Sequence, residues 1–136
     1  MSDAAITRGA HHIGLTIPDL ARTRAFFVDT LGFSQLGEVP DYPAVFLTDG
    51  TTMLTLWQAE DPASAVGFDR RRNIGLHHFA LKVANPDILQ GLHEKLLAID
   101  DVEIEFAPEP LGAGPTHHMM VFVPGGVRVE FIAPAS

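Results

Sequence analysis

The sequence has 136 residues, of which 46% are hydrophobic and 19% are charged, which is typical of one soluble globular domain with a buried core. Its net charge of −8, with only 9 lysines and arginines, argues against a nucleic-acid partner, because nucleic-acid binding needs a basic face. The lack of cysteine excludes disulfides, thiolate metal sites and cysteine nucleophiles, and fits a reducing cytoplasm. No apolar run reaches the roughly 20 residues that span a bilayer, and the first five residues lack a signal-peptide pattern. These features predict a cytoplasmic protein that contacts neither nucleic acid nor a membrane.

In chain order, the first half shows a strand, a helix and three further strands, a pattern that predicts a module over about residues 8–58. Asp19 is the expected N-cap of the helix and Gly32 its stop, while Asp49-Gly50 predicts a hairpin turn. The segments are a strand over 10–17, a helix over 20–31, and strands over 33–39, 44–48 and 51–58.

A linker over 59–75, rich in Asp, Pro, Ala, Gly and Arg, precedes a second module over about residues 76–134. This module repeats the plan of the first, and each opens on a His-His pair, at 11–12 and at 77–78. Its segments are a strand over 76–83, a helix over 86–98, a strand over 102–106, a loop over 107–115, and strands over 116–123 and 127–132. The sequence therefore predicts a single α+β domain over 1–136, built from two tandem βαβββ modules.

The alternation of residues along the strands separates an apolar, helix-facing side from an opposite side that carries unexpected polar groups. The predicted helix-facing residues are Ile13, Leu15, Leu54, Leu56, Phe79, Leu81, Val129 and Phe131. His12, His78 and Glu130 share the opposite side. An unpaired buried Glu130 would cost several kcal/mol, roughly, and a divalent cation would offset that cost. Two imidazoles and one carboxylate form the facial triad of non-haem Fe(II) sites, with open positions for substrate.

Structural roles are the alternative for each of these residues, since a strand histidine is commonly a hydrogen-bonded structural residue and a strand glutamate is commonly solvated. His118 is the candidate acid or base, because imidazole titrates near working pH. The candidate substrate-binding residues are Thr55, Trp57, Met120 and Arg128. His11 and His77 are expected to point to the helix side, and 70–72, a run of three arginines, is expected to be a solvated loop.

Four motifs resemble those of the vicinal oxygen chelate superfamily, which includes glyoxalase I, bleomycin and fosfomycin resistance proteins, methylmalonyl-CoA epimerase and extradiol dioxygenases. They cover nearly the whole chain. They are the His-to-Asp-Leu opening at 12–20, the Phe-x-x-x-Leu-Gly-Phe pattern at 27–33, the second histidine strand at His78, and the Pro-Gly-Gly-x-x-x-Glu ending at 124–130.

The resemblance implies a curved eight-stranded mixed sheet around a central metal and ligand cavity, with His12, His78 and Glu130 as the metal ligands. It implies Fe(II) or Mn(II) ahead of Zn(II) or Ni(II), a small-molecule substrate with vicinal oxygens, and a homodimer. Thr55 stands where glyoxalase I has Glu and the epimerase has Gln, so the two-His-one-Glu set favours a dioxygenase-like enzyme. The alternatives are glyoxalase-like lyase or isomerase chemistry, and a binding protein of the bleomycin-resistance type that sequesters a small molecule.

Overall fold

The computed structural model describes residues 4–134 and contains all eight predicted strands, in an α+β arrangement. The chain divides into two compact units at a point within the predicted linker: the first unit ends at Ala63 and the second begins at Ser64. Each unit contains one βαβββ module with its own four-stranded mixed sheet. The repeat in the sequence is therefore a repeat of structure.

The first unit has the strand order β1-β4-β3-β2, in which β1 runs parallel to β4 and the other neighbours are antiparallel. Its elements are β1 (His12–Ile17), α1 (Leu20–Ala25), β2 (Ser34–Val39), β3 (Ala44–Thr48) and β4 (Met53–Gln58).

The helix of the first unit begins as predicted and ends differently. The carboxylate of Asp19 accepts a hydrogen bond from the backbone N–H of Arg22, as expected of an N-cap. The α-helix stops at Ala25, and a π-helical turn over Phe26–Thr30 replaces the predicted α-helical end. Within this turn, the consecutive rings of Phe26 and Phe27 are both fully buried and pack edge-on, with centroids 5.3 Å apart.

The second unit repeats this topology with the order β5-β8-β7-β6, in which β5 runs parallel to β8. Its elements are β5 (Phe79–Lys82), α2 (Pro86–Leu97), β6 (Glu103–Pro110), β7 (His117–Phe122) and β8 (Arg128–Ala133). Asn85 caps α2 by accepting from the backbone N–H of Ile88 at 2.9 Å. Two predictions were wrong here. Strand β5 starts only at Phe79, and β6 continues to Pro110, into the predicted loop 107–115. An edge strand with register shifts tolerates proline, because it needs fewer ladder hydrogen bonds.

The predicted helix-facing residues form the cores of the two units. Ile13 is half-buried. The other predicted residues are all buried, namely Leu15, Leu54, Leu56, Phe79, Leu81, Val129 and Phe131. Helix α2 adds the fully buried Leu89 and Leu96 to the core, while its Ile88 is exposed. Across the described residues, neither helix has the length and apolarity required to cross a membrane.

Candidate functional site

The second unit brings three of the predicted site residues together around the carboxylate of Glu130. One carboxylate oxygen, Oε1, lies 3.1 Å from Nε2 of His78, and the other, Oε2, lies 2.6 Å from Nδ1 of His118. The side chain of Glu130 is only 11% exposed. Within the described residues 4–134, no lysine or arginine forms an ion pair with it. Glu130 is therefore a nearly buried carboxylate whose neighbours are imidazoles.

The strand register explains why these side chains meet. Phe79 pairs with Val129 in the parallel pair β5 and β8, so His78, directly before β5, reaches the start of β8. His118 pairs with Ile132 of β8 and thus lies on the same face of the sheet as Glu130, two residues away. Met120, a predicted substrate-binding residue, is the direct cross-strand neighbour of Glu130 and is buried.

The third predicted ligand, His12, belongs to the first unit. It is the first residue of β1, pairs with Met53 and is exposed. Its assignment as a ligand stays a prediction. Over residues 4–134, no three His, Cys, Asp or Glu side chains are arranged so that they could hold a metal ion together. Of the three predicted ligands, the structure places donor atoms of His78 and Glu130 side by side.

A second set of charged groups lies next to this pair. Arg128 donates two hydrogen bonds to the carboxylate of Glu105, from Nε and Nη2, each at 2.8 Å. Its third nitrogen, Nη1, lies 3.3 Å from Nδ1 of His77. Arg70 forms a further ion pair with Glu105 at 3.5 Å. The guanidinium of Arg128 is nearly buried and is bound by Glu105. Its role in binding substrate therefore stays a prediction, and a substrate would have to compete with Glu105 for it.

These contacts shift the pKa values of three groups. The hydrogen bonds from Arg128 lower the pKa of Glu105, and the same hydrogen bonds raise the pKa of Arg128. Partial desolvation, and then the positive charge of Arg128, lower the pKa of His77. At neutral pH the arrangement therefore consists of a charged pair, Arg128 and Glu105, beside a neutral His77.

Sequence reasoning missed the roles of His77, Glu105 and Arg70. His77 was expected to point away from the site, but its Nδ1 lies 2.8 Å from Nδ1 of His78. The two histidines precede β5, so the alternation of a strand does not separate them. Arg70 was expected to be solvated and is instead paired with Glu105. The sequence signal that could have indicated Glu105 is Arg128, because an arginine within a predicted strand needs an acidic partner when it is buried.

In the first unit, the predicted substrate-binding residues Thr55 and Trp57 contact each other. The indole N–H of Trp57 donates to the buried hydroxyl of Thr55 at 2.9 Å. The Trp57 ring packs edge-on against Tyr42 at 5.0 Å between ring centroids. Tyr42 in turn lines a cavity of about 360 Å³. That cavity is formed by Asp41, Tyr42, Pro43, Gln58, Ala59 and Glu60.

Replacing Gly14 by Val tests this packing. A Cβ at Gly14 would lie 3.0 Å from the Thr55 hydroxyl and 3.6 Å from the Trp57 indole nitrogen. We expect the hydrogen bond between them to break, at a cost of roughly 1–3 kcal/mol in the free energy of unfolding. Urea unfolding and the fluorescence of Trp57, the single tryptophan of the chain, measure both effects. Gly67→Val, at an exposed position where a Cβ meets nothing, is the control and should change neither.

Residues 9–131 match the profile of the Glyoxalase/Bleomycin resistance protein/Dioxygenase superfamily. The match covers most of the chain, so the protein belongs to this superfamily, whose members generally bind divalent metals.

Comparison with individual proteins gives more distant similarities. The chain is 30% identical over 97 residues to the mitochondrial methylmalonyl-CoA epimerase of Bos taurus, a match to 65% of this chain and 55% of that one. The matched region is thus about half of the epimerase. A lactoylglutathione lyase structure from Agrobacterium tumefaciens is 20% identical with a TM-score of 0.69, over 95% of this chain and 96% of that chain. The fosfomycin resistance protein FosX of Listeria monocytogenes is 17% identical with a TM-score of 0.74, over 96% of both chains. The two structures show the shared fold.

Proposed function

We propose that the protein is a divalent-metal-dependent enzyme that acts on a small molecule with vicinal oxygens. His78 and Glu130 are two of its metal ligands, and His12, the equivalent of His78 in the sequence repeat, is the third. The ion would be Fe(II) or Mn(II) ahead of Zn(II) or Ni(II), since two imidazoles and one carboxylate suit non-haem Fe(II) chemistry.

The observation that carries the proposal is the 3.1 Å distance between Nε2 of His78 and Oε1 of Glu130. Both atoms are metal donors, and two donors on one ion approach each other to about 3 Å when each bond is roughly 2.1 Å. The carboxylate is nearly buried and, within residues 4–134, has two imidazole contacts but no lysine or arginine ion pair, so a cation bound there would supply the charge partner that it lacks. The donor pair therefore fits two positions of a metal site.

A bound metal ion would act as a Lewis acid toward two neighbouring substrate oxygens. The residues of the chain have separate tasks. His118 orients the carboxylate of Glu130 through Nδ1, which leaves its Nε2 to exchange a proton with substrate. Met120, buried beside Glu130, keeps the surroundings apolar. A dry environment of this kind strengthens electrostatic stabilisation of a developing oxyanion.

Dioxygenation is the proposed reaction class. With His12, His78 and Glu130 as its protein ligands, a bound ion would have positions free for substrate oxygens and for dioxygen, the oxidant of such a reaction. The state of Thr55 supports a three-ligand set, because its hydroxyl accepts a hydrogen bond from Trp57 and a threonine hydroxyl is a poor ligand. Lyase and isomerase chemistry, which would fit the names of the epimerase and lyase relatives, is the alternative within the enzyme class.

Sequestration of a small molecule is the second candidate function. The observation in its favour is the cavity of about 360 Å³ beside Tyr42, whose size lies within the range of ligand-binding pockets. Tyr42 is 61% exposed, so its ring is accessible to a ligand. We also propose that the protein is a homodimer, which is supported by exposed large apolar side chains that a partner could cover, among them Val66 and Ile74.

The experiment is a substrate screen of the metal-loaded protein under anaerobic loading, with catechols, α-hydroxy ketones and thiol adducts of 2-oxoaldehydes. We expect turnover of one class that requires added Fe(II) or Mn(II) and falls at least 100-fold, roughly, in His78→Ala. His117→Ala, which removes a histidine whose ring hydrogen-bonds to the Pro115 carbonyl and not to Glu130, should retain activity. Tight binding of a ligand without turnover, unchanged in His78→Ala, would contradict the enzyme proposal and favour sequestration.

A further inference from the structure

The run of three arginines at 70–72 lies in an ordered turn of the second unit. The carboxylate of Asp69 accepts hydrogen bonds from the backbone N–H groups of Arg71, at 2.9 Å, and of Arg72, at 3.1 Å. The backbone N–H of Asn73 donates to the carbonyl of Asp69 at 3.0 Å and closes the turn. The backbone here is therefore fixed, and with it the positions from which the arginine side chains extend.

This turn places Arg70 beside a carboxylate that already has a partner. Nη1 of Arg70 lies 3.5 Å from Oε1 of Glu105, and the same oxygen accepts a hydrogen bond from Nε of Arg128 at 2.8 Å. The hydrogen bonds from Arg128 lower the pKa of Glu105, and the charges of Arg70 and Arg71 lower it further. One carboxylate therefore interacts with three guanidinium groups, and it can compensate only one positive charge.

The arginine cluster, which consists of Arg70, Arg71 and Arg128, borders the pair formed by His78 and Glu130. Arg128 precedes Glu130 by two residues on β8, so their side chains leave the same face of the sheet, roughly 7 Å apart along the strand. Arg128 is nearly buried, whereas the side chain of Arg70 is partly exposed and Arg71 is exposed. A molecule that binds beside Glu130 can therefore reach Arg70 and Arg71 from the solvent side.

We infer that Arg70, with Arg71 beside it, binds a carboxylate of the substrate at the edge of the site. The substrate class is then a small molecule with vicinal oxygens at one end and a carboxylate at the other. The contacts of Glu105 show that this cluster holds a carboxylate, and guanidinium groups match the planar geometry of carboxylates. The chain as a whole has a net charge of −8, so an anion is attracted to this cluster and repelled by most of the remaining surface. The identity of the carboxylate as part of a substrate rests on the proposed function, whereas carboxylate binding itself does not.

Calorimetric titration of the metal-free protein tests carboxylate binding with two matched probes, catechol and protocatechuate, which is catechol with an added carboxylate. The titrations use low salt, because salt screens exposed charges. We expect the wild type to bind protocatechuate roughly 10-fold more tightly than catechol, the scale of one hydrogen bond to a charged group. Arg70→Gln should lose most of this preference. Arg72→Gln makes the same charge change at an exposed position of the same turn and should keep the preference.

A second variant separates substrate binding from a purely structural role of Arg70. Glu105 occupies donors of the same arginines, so Glu105→Gln should bind protocatechuate more tightly than the wild type does. If Arg70 served only to hold Glu105, this variant would show no gain, and that result would count against the inference. Because Glu105→Gln should be less stable than the wild type, its unfolding temperature is measured first and the titration is done below it.

The remaining outcomes distinguish this inference from the proposed function. A wild type that binds no protocatechuate, or binds it no more tightly than catechol, would overturn the inference, as would a preference that Arg70→Gln retains in full. Equal turnover of both probes by the Fe(II)-loaded protein would also overturn it and would leave the proposed function intact. A preference for protocatechuate that depends on Arg70, without turnover of any screened substrate after loading with Fe(II) or Mn(II), would support the carboxylate site and contradict the proposed function.

Discussion

Glu130→Gln should abolish metal binding and leave the metal-free protein as stable as the wild type or more stable. The amide keeps an acceptor oxygen for Nδ1–H of His118, which lies 2.6 Å from Oε2. It also places an N–H donor opposite Nε2 of His78, where the wild type has a carboxylate oxygen at 3.1 Å. A neutral group at this nearly buried position removes a desolvation cost. The loss of an anionic ligand should weaken metal affinity by roughly 100-fold or more, because mutation of a residue that only hydrogen-bonds to a metal ligand already costs about 10- to 100-fold in metal affinity.

Calorimetry with a chelator and then with Mn(II) separates the two effects. At a metal concentration 100-fold above Kd, the wild type should gain about 2.7 kcal/mol, a rise of roughly 5–10 °C in Tm. Glu130→Gln should show no such rise. The control is Glu109→Gln, an exposed glutamate on β6, which should respond as the wild type does. Two results together would contradict this account: a Tm of metal-free Glu130→Gln several degrees below that of the wild type, and a wild-type Tm that Mn(II) does not change. They would show that Glu130 forms a structural ion pair and does not bind a metal ion.

Glu105→Gln should lower the free energy of unfolding by about 2 kcal/mol at pH 7. The guanidinium of Arg128 is nearly buried, and without Glu105 its charge has no carboxylate partner among its contacts in residues 4–134. Breaking a fully buried ion pair costs about 3–5 kcal/mol. The expected loss of about 2 kcal/mol is smaller because the side chain of Glu105 is 25% exposed, and solvent screens its charge.

The loss should depend on pH. Arg128 lowers the pKa of Glu105 in the folded protein, so the stabilisation by Glu105 is present above its ordinary pKa and disappears as the pH falls through the lowered folded value. Urea unfolding of the wild type and Glu105→Gln from pH 7 down to about pH 3 should therefore show two curves that converge in acid. Glu103→Gln, at an exposed position on the same strand, should follow the wild type throughout. A difference that stays constant down to the lowest pH would show that the charge of Glu105 is not its source.

The elements predicted correctly are those that depend on local sequence. Apolar alternation identified the strands, and Asp19 marked the start of the first helix, because capping involves residues only three positions apart. The proximity of His78 to Glu130 agrees with the expected shared face, although His78 lies before β5 and not within it. The parallel pairing of Phe79 with Val129 places His78 beside β8, as the longer predicted strand would have done.

The pairing of Arg128 with Glu105 could not be predicted, because it depends on strand order and on an irregular register. Arg128 is on β8, and its side chain reaches across β7 to a residue of β6. The register of β6 shifts between Ile104 and Phe106, so counting along the strand does not place Glu105. Hydrophobic patterning specifies which residues are inside a sheet, but it does not specify which strands are neighbours. For the same reason, the contact between His77 and Arg128 could not be predicted from the sequence.

The metal content of the protein tests the central claim most directly. Elemental analysis after purification, and again after reconstitution with Fe(II) or Mn(II) and dialysis, should give nearly one ion per chain for the wild type and for His117→Ala. His12→Ala, His78→Ala and Glu130→Ala should each lose most of it, since each would remove one ligand of the same ion. A wild type that holds no ion after reconstitution, or one whose ion is retained in both His78→Ala and Glu130→Ala, would contradict the assignment of these residues as metal ligands.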